Sequence, residues 1–169
     1  MTLTIREASI SDAGWMVGHV RALAAEPDAQ IPLRVDEYLV TPEQQAETLH
    51  GAAERGDLFL IAEVDGVQVG EINLRRGARA AFKHSVVVGM SIAPAWRNRR
   101  IGSALMQRAL EWAKAQGGLR RVELWVYASN AAAIRLYERH GFVVEGRRRG
   151  AIRVGERYVD DLFMACYLA

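Results

Sequence analysis

The chain is poor in several features that would settle a function outright. It has a single cysteine among 169 residues, so no disulfide closes within it and no thiolate-rich metal site can be assembled. That residue, Cys166, reads as a small buried hydrophobe on a last strand. His19, His50 and His140 fall at no metal-ligand spacing, and neither HxxxH nor CxxC occurs; no metal is expected. No apolar run has membrane length and no signal-type core follows Met1. No membrane partner is expected, and the expected location is the cytoplasm. Charge of one sign is also lacking, since 22 Lys and Arg against 20 Asp and Glu leave a formal +2. That is too little for a general nucleic-acid binder, so any basic patch must answer to a local anion. Repeats, low-complexity tracts and an evident linker are absent, while half the positions are hydrophobic. Such material suits one domain over residues 1–169 with a core of its own.

What is present alternates between strand and helix signals. Leu3, Ile5 and Glu7 alternate as a strand, and Ser11 is the expected cap of a helix through Trp15, Val20 and Leu23. An irregular stretch from Pro27 to Val40 follows, then Thr41-Pro42-Glu43-Gln44 as a cap with proline at the first helical position. Loop and second helix are expected to flank a substrate pocket. Two apolar runs joined by Asp65-Gly66 read as a hairpin. Ser85 to Ala93 is a central strand, continuous in Val86, Val87 and Val88, and Gly89 within it predicts a bulge or a close approach. Leu105, Ala109, Trp112 and Ala113 recur at helical spacing up to Gly117-Gly118; Arg121 to Tyr127 is a strand. Asn130 caps a short helix closed by Gly141, and Phe142 to Glu145 and Tyr158 to Tyr167 supply the last strands. The order β-α-α-β-β-β-α-β-α-β-β predicts an α/β fold, a mixed sheet with helices on both faces. The run Arg147-Arg148-Arg149 before Gly150 reads as a solvated hairpin turn.

The segment VVVGMSIAPAWRNRRIGSALM, Val86 to Met106, concentrates the chemistry. A β-branched strand, a Pro94 stop, an arginine-rich turn and a helix start aim unpaired backbone N–H groups, a helix dipole and guanidinium charge at one point. That combination suits a pyrophosphate.

Ile92-x-Pro94-x-x-Arg97 running into Gly102, with Asn130 seven residues before Tyr137 and Gly141-Phe142 behind it, resembles the GNAT superfamily of acetyl-CoA-dependent N-acetyltransferases. Nearly the whole chain takes part. The resemblance implies a mostly antiparallel central sheet, splayed in the middle. The family's Q/R-x-x-G-x-G/A loop falls on Arg97-Asn98-Arg99-Arg100-Ile101-Gly102, with Arg100 where glycine is usual; a displaced match, Arg99-x-x-Gly102-x-Ala104, also exists. Either Arg100 is accommodated without φ above zero or the loop is remodelled.

Several roles are implied by the resemblance alone. The pyrophosphate of acetyl-CoA would lie on the N–H groups of Arg97, Asn98, Arg99, Arg100, Ile101, Gly102 and Ser103, at the helix start that continues through Ala104. Its pantetheine arm would run beside Ser91, Ile92 and Ala93 in the splay, with an N–H near Met90 or Ser91, turned by a bulge at Gly89, for the thioester oxygen. Asn130 would contact the arm, and Tyr137 would donate a proton or hydrogen bond to the leaving thiolate. From its residue type and place, Glu71 is the first candidate for the base that deprotonates the amine, with solvent-side exposure as the equal alternative; His84 ranks below it.

Before the last strand, Gly155-Glu156-Arg157-Tyr158-Val159-Asp160 resembles, at one residue longer, the Gly-x-Tyr-x-Asp pattern of the bacterial L-amino-acid and phosphinothricin-type branch of the superfamily. The implied acceptor is a primary amine of a small molecule, an amino acid or amino-acid-like antibiotic. Arg75, Arg76 and Arg79 could guide a carboxylate. Alternatives are a protein or peptide N-terminus, which would need an open groove at the Pro27 to Val40 loop, or a polyamine, which would need Glu37, Glu43, Glu47, Asp160 and Asp161 to converge. A non-catalytic acyl-CoA-binding module would fit better had the tyrosine been missing. Similar proteins commonly form homodimers.

Overall fold

A computed structural model describes residues 1–168. Seven strands form one sheet: β1 (Leu3–Glu7), β2 (Leu58–Val64), β3 (Val67–Arg76), β4 (Ser85–Ile92), β5 (Arg121–Tyr127), β6 (Val143–Val154) and β7 (Arg157–Tyr167), in the order β1-β2-β3-β4-β5-β7-β6. Every pairing is antiparallel except β4 with β5. The helices are α1 (Ala13–Ala24), α2 (Pro42–His50), α3 (Ala52–Arg55), α4 (Ile101–Ala115) and α5 (Ala131–Arg139). This is the expected mixed α/β sheet, with one short extra helix, α3. No helix among the described residues is long and apolar enough to cross a membrane.

Strand alternation sends residues to two cores. Leu60, Ile72, Leu74, Val86, Val122, Leu124 and Met164 face α4, whose Ile101, Leu105, Met106, Ala109 and Ala113 form one buried stripe. On the opposite face Phe59 and Ile61 pack with Met16 of α1 and Ala52, and Trp15 and Leu49 close the edge. Helices therefore cover both faces. Burying each large side chain of these stripes stabilises the fold by roughly 1.5–3 kcal/mol.

Local signals explain most element ends. Asp65 and Gly66 both take positive φ, 50° and 82°, the geometry that a two-residue hairpin of this hand requires. Thr41 accepts from the Gln44 N–H at 3.3 Å while the Gln44 side chain accepts from the Thr41 N–H at 3.0 Å, a reciprocal cap for α2. The start of α1 differs from expectation. A single turn, Ile10–Asp12, precedes it, and the Asp12 carboxylate accepts from the Ser9 N–H at 2.7 Å, so Ser9 and Asp12 do the capping in place of Ser11.

The C-terminal hairpin departs further from the sequence reading. Tyr158 to Tyr167 falls within β7 as expected, but Arg147, Arg148 and Arg149 lie inside the long strand β6 where a turn was expected. Aspartates explain it: Arg147 donates to Asp160 at 2.7 Å, and Arg148 to Asp161 at 2.9 Å, across the ladder. The turn sits later, at Gly155, and the register slips between Arg148 and Ile152. An arginine run usually marks solvent, but opposite two aspartates it is a cross-strand pairing.

Candidate active site

The cradle expected from the sequence exists as backbone. Pro94–Trp96 makes one tight turn after β4, and the chain then enters α4 through Asn98 at φ 62° and Arg100 at φ 63°. Arg100 is the residue just before α4 and its carbonyl accepts from the Ala104 N–H at 3.1 Å. It thus takes the left-handed conformation that favours glycine, so the expectation that Arg100 could be accommodated without φ above zero is not met. Holding an L residue there costs about 1–2 kcal/mol. Arg100→Gly is therefore expected to raise the stability of the chain by about 1 kcal/mol with the loop intact. Denaturant unfolding reads this directly; a loss of stability would mean that the Arg100 side chain holds the loop.

Around the cradle each arginine has a different employment. Arg99 stacks its guanidinium over Trp96 at 4.9 Å. Arg97 spends its charge on Glu26, with contacts of 2.8 and 2.7 Å, and its Nε donates to the Ile92 carbonyl at 3.1 Å. The end of α1 is thereby tied to the loop. Gly102 sits in close packing, where a Cβ would stand 3.1 Å from the Leu136 side chain of α5 and 3.6 Å from Met90 of β4. Ser103 shares a hydrogen bond of 2.8 Å with His140 at the end of α5. The first N–H groups of α4 have no partner within the helix, so the cradle presents donors at the positive end of a helix dipole.

Next to the cradle the sheet opens. β4 pairs with β5 only from Ser85–Arg121 to Val87–Glu123, although β4 runs on to Ile92 and β5 to Tyr127. From Val88 to Ile92 the β5-facing edge of β4 is left without a strand partner, and this stretch contains Met90, Ser91 and Ile92, with Ala93 following. No bulge is needed at Gly89. The β3–β4 register is continuous from Gly70–Ile92 to Arg76–Val86, whereas the neighbouring β2–β3 ladder shifts between Ala62 and Glu63. Gly89 is instead a close approach: a Cβ there would be 3.1 Å from the Asn73 side chain.

Glu71 stands beside the opening, opposite Ser91 in the ladder. It is not on the solvent side. Its side chain is buried with Oε2 lacking any hydrogen-bond partner, and burial pushes its pKa up to about 7, against a smaller lowering by Arg75. Tyr38, from the loop between α1 and α2, lies within electrostatic reach of Glu71 and Arg75, and burial raises its own pKa. His19 of α1 shares a 2.9 Å hydrogen bond with Ser91 and stacks on Trp15 at 4.6 Å. Burial lowers the His19 pKa to about 4, so its ring is neutral near pH 7. His84, the lesser candidate base, is exposed at the far end of β4.

Asn130 and Tyr137 fall on α5 as expected. Asn130 Oδ1 accepts from the Ala133 N–H at 3.1 Å, which caps the helix, and its amide NH2 remains for other work. Tyr137 is buried against Phe142 at 5.7 Å, and burial pushes its pKa up to about 12. Gly141 at φ 84° turns the chain back, so that the Phe142 N–H donates to the Tyr137 carbonyl at 3.1 Å. His19, Tyr38 and Tyr127 were not singled out as site residues by the sequence. For Tyr127 a signal existed: it shares strand parity with Glu123, hence the face on which Glu71 stands.

The chain matches the Acetyltransferase (GNAT) family model over residues 18–142. It belongs to that family. An L-amino acid N-acetyltransferase of Escherichia coli is 36% identical over 63% of this chain and 65% of its own length, just under two thirds of that relative. An acetyltransferase of the GNAT family from Streptococcus pneumoniae has a TM-score of 0.92 and 32% identity over 99% of this chain and 100% of the other. A putative acetyltransferase from Salmonella typhimurium, solved with acetyl-CoA, shares the fold at a TM-score of 0.89 and 22% identity, over 100% of this chain and 95% of the other.

Proposed function

We propose that this chain transfers an acetyl group from acetyl-CoA to a primary amine of a small molecule, by direct attack on the thioester. The observation that carries the reading is Glu71, a buried carboxyl with one unpartnered oxygen, set beside the opened edge of β4. The residues present fit acetyl-CoA: the backbone from Asn98 to Ser103 offers donors to a pyrophosphate, the Arg97 N–H being taken by the Pro94 carbonyl, and the unpaired edge of β4 at Met90 and Ile92 offers groups to an extended arm, the Ala93 N–H being taken by the Val69 carbonyl. Bound there, acetyl-CoA supplies an activated acyl carbonyl with a thiolate as leaving group.

Glu71, with a pKa near 7, takes the proton that the amine loses as it attacks, directly or through water. The Met90 N–H, which faces the opening because Ser85, Ser91 and Ala93 turn their backbone groups toward β3, receives the developing negative charge, and Tyr137 donates a hydrogen bond to the departing sulfur. At a pKa of about 12 the Tyr137 phenol holds its proton. Moving it fully to a thiolate near 8.5 would cost about 5 kcal/mol, so the hydrogen bond is what Tyr137 contributes.

Small-molecule acceptors fit better than the alternatives. Ser129, just past β5, donates to Gln30 at 3.4 Å and Tyr38 is within electrostatic reach of Glu71, so the loop after α1 runs between the end of β5 and the side of the sheet on which Glu71 stands, where a protein substrate would need a groove. Asp160 and Asp161 are engaged by Arg147 and Arg148, which removes two of the acidic groups a polyamine pocket would draw on. Arg75 places positive charge near Glu71 and favours an acceptor with a carboxylate. The reaction takes place in the cytoplasm.

The test is thiol release from acetyl-CoA with amino acids, polyamines, aminoglycosides and N-terminal peptides in parallel. Amine-dependent release with at least one amino acid or related small amine is expected. Acetyl-CoA binding without release by any acceptor would turn the reading to an acyl-CoA-binding module.

A further inference from the structure

Three buried side-chain atoms among the described residues have no hydrogen-bond partner: Glu71 Oε2, Arg76 Nε and the Tyr127 hydroxyl. Two of them share a place. Glu71 is opposite Ser91 in the β3–β4 ladder, and Tyr127 is opposite Asp161 in the β5–β7 ladder. Counting on from the Val87–Glu123 pair brings Ser91 level with Tyr127 where the two strands have parted. Glu71, Ser91, Tyr127 and Asp161 therefore form one transverse row on a single face of the sheet, with the opening between its second and third members. Arg76, paired with Val86, belongs to the other face.

Tyr127 is 5% exposed. Burying a hydroxyl with nothing to bond is unfavourable, and phenylalanine would fill the same space without that cost. Burial and the nearby Asp161 carboxylate raise its pKa, so the group keeps its proton and serves as a donor. A donor seeks an oxygen lone pair, which an ammonium lacks. Asp161 is occupied by Arg148.

We infer that Tyr127 is a specificity-determining residue, whose hydroxyl donates to a carbonyl or carboxylate oxygen adjacent to the reacting amine while Glu71 attends to the nitrogen. The inference rests on the acetyl-transfer reading and adds a selection rule to it. Acceptors with an N–C–C=O unit are favoured over amines of the same shape without the oxygen, and the selection is by hydrogen bond, so it extends to neutral amides that gain nothing from Arg75.

The experiment compares wild type and Tyr127→Phe on an α-amino acid amide and on the matching alkylamine without the carbonyl group. Wild type is expected to favour the amide, and Tyr127→Phe to lose roughly tenfold in kcat/KM on the amide with little change on the alkylamine. The ligand-free variant is expected to melt at or above the wild-type temperature, since it removes an unpartnered group. Equal losses on both acceptors, no wild-type preference, or a clearly lower melting temperature would overturn the inference. Should no amine release thiol, the transfer reading itself fails. Equilibrium binding of the same two compounds to both proteins then decides the role of Tyr127, by the same preference and its loss.

Discussion

Glu71→Gln is expected to lower kcat/KM for amine acetylation by roughly 10²- to 10⁴-fold while acetyl-CoA still binds. In the wild type kcat/KM should climb with pH through about 7, where the buried carboxyl ionises, and this limb should vanish in the variant. Stability moves the other way. The folded pKa of about 7 lies above the ordinary 4.5, so between these values the folded chain holds a proton that the unfolded chain has released. Stability from this site is complete below about pH 4.5, falls as pH rises to about 7, and is flat beyond. The shift corresponds to about 3 kcal/mol, so Glu71→Gln should be the more stable protein at pH 8 and lose that advantage near pH 4. Urea unfolding at the two pH values measures it; a variant less stable than wild type at both would mean that the carboxyl is held by partners.

Tyr137→Phe is expected to lower kcat by roughly 10²-fold, as removal of one donor from a developing anion does. The ring stays, and with it the packing on Phe142, so melting temperature and acetyl-CoA affinity should be nearly unchanged. The loss should shrink when the acyl donor carries a better leaving thiol, because less charge then needs stabilising in the transition state. Unchanged turnover would remove Tyr137 from the reaction.

Much of this arrangement is legible in the chain because local chemistry enforces it. Thr41-Pro42 and Asp65-Gly66 act over a few residues, and both fall where expected. Asn130, Tyr137 and Gly141 are likewise readable, since cap, helical spacing and left-handed stop lie within one short helix. What escapes is set by distant partners. Arg147 and Arg148 take their meaning from aspartates thirteen residues on. Glu71 is buried on the α1 side of the sheet, opposite Ser91 in the ladder, and a strand pattern alone does not reveal that its face is the covered one. Arg100 marks another limit: its left-handed backbone is imposed by β4 and α4 on either side, against its own preference. Tyr127 is half legible, its face fixed by strand parity and its unpartnered hydroxyl visible only once the sheet is seen to split.

Direct transfer makes the sharpest demand, because it leaves no acetyl group on the protein. The one cysteine, Cys166, is buried beneath α5 with its thiol pKa raised by that burial, and is a poor relay. The deciding measurement mixes the protein with acetyl-CoA, with and without an accepted amine, and follows free thiol together with the intact mass of the chain. Thiol released only when the amine is present, in equal amount to N-acetylated product and with the chain mass unchanged, is the predicted result. Thiol released without amine, on a chain one acetyl group heavier, would contradict it.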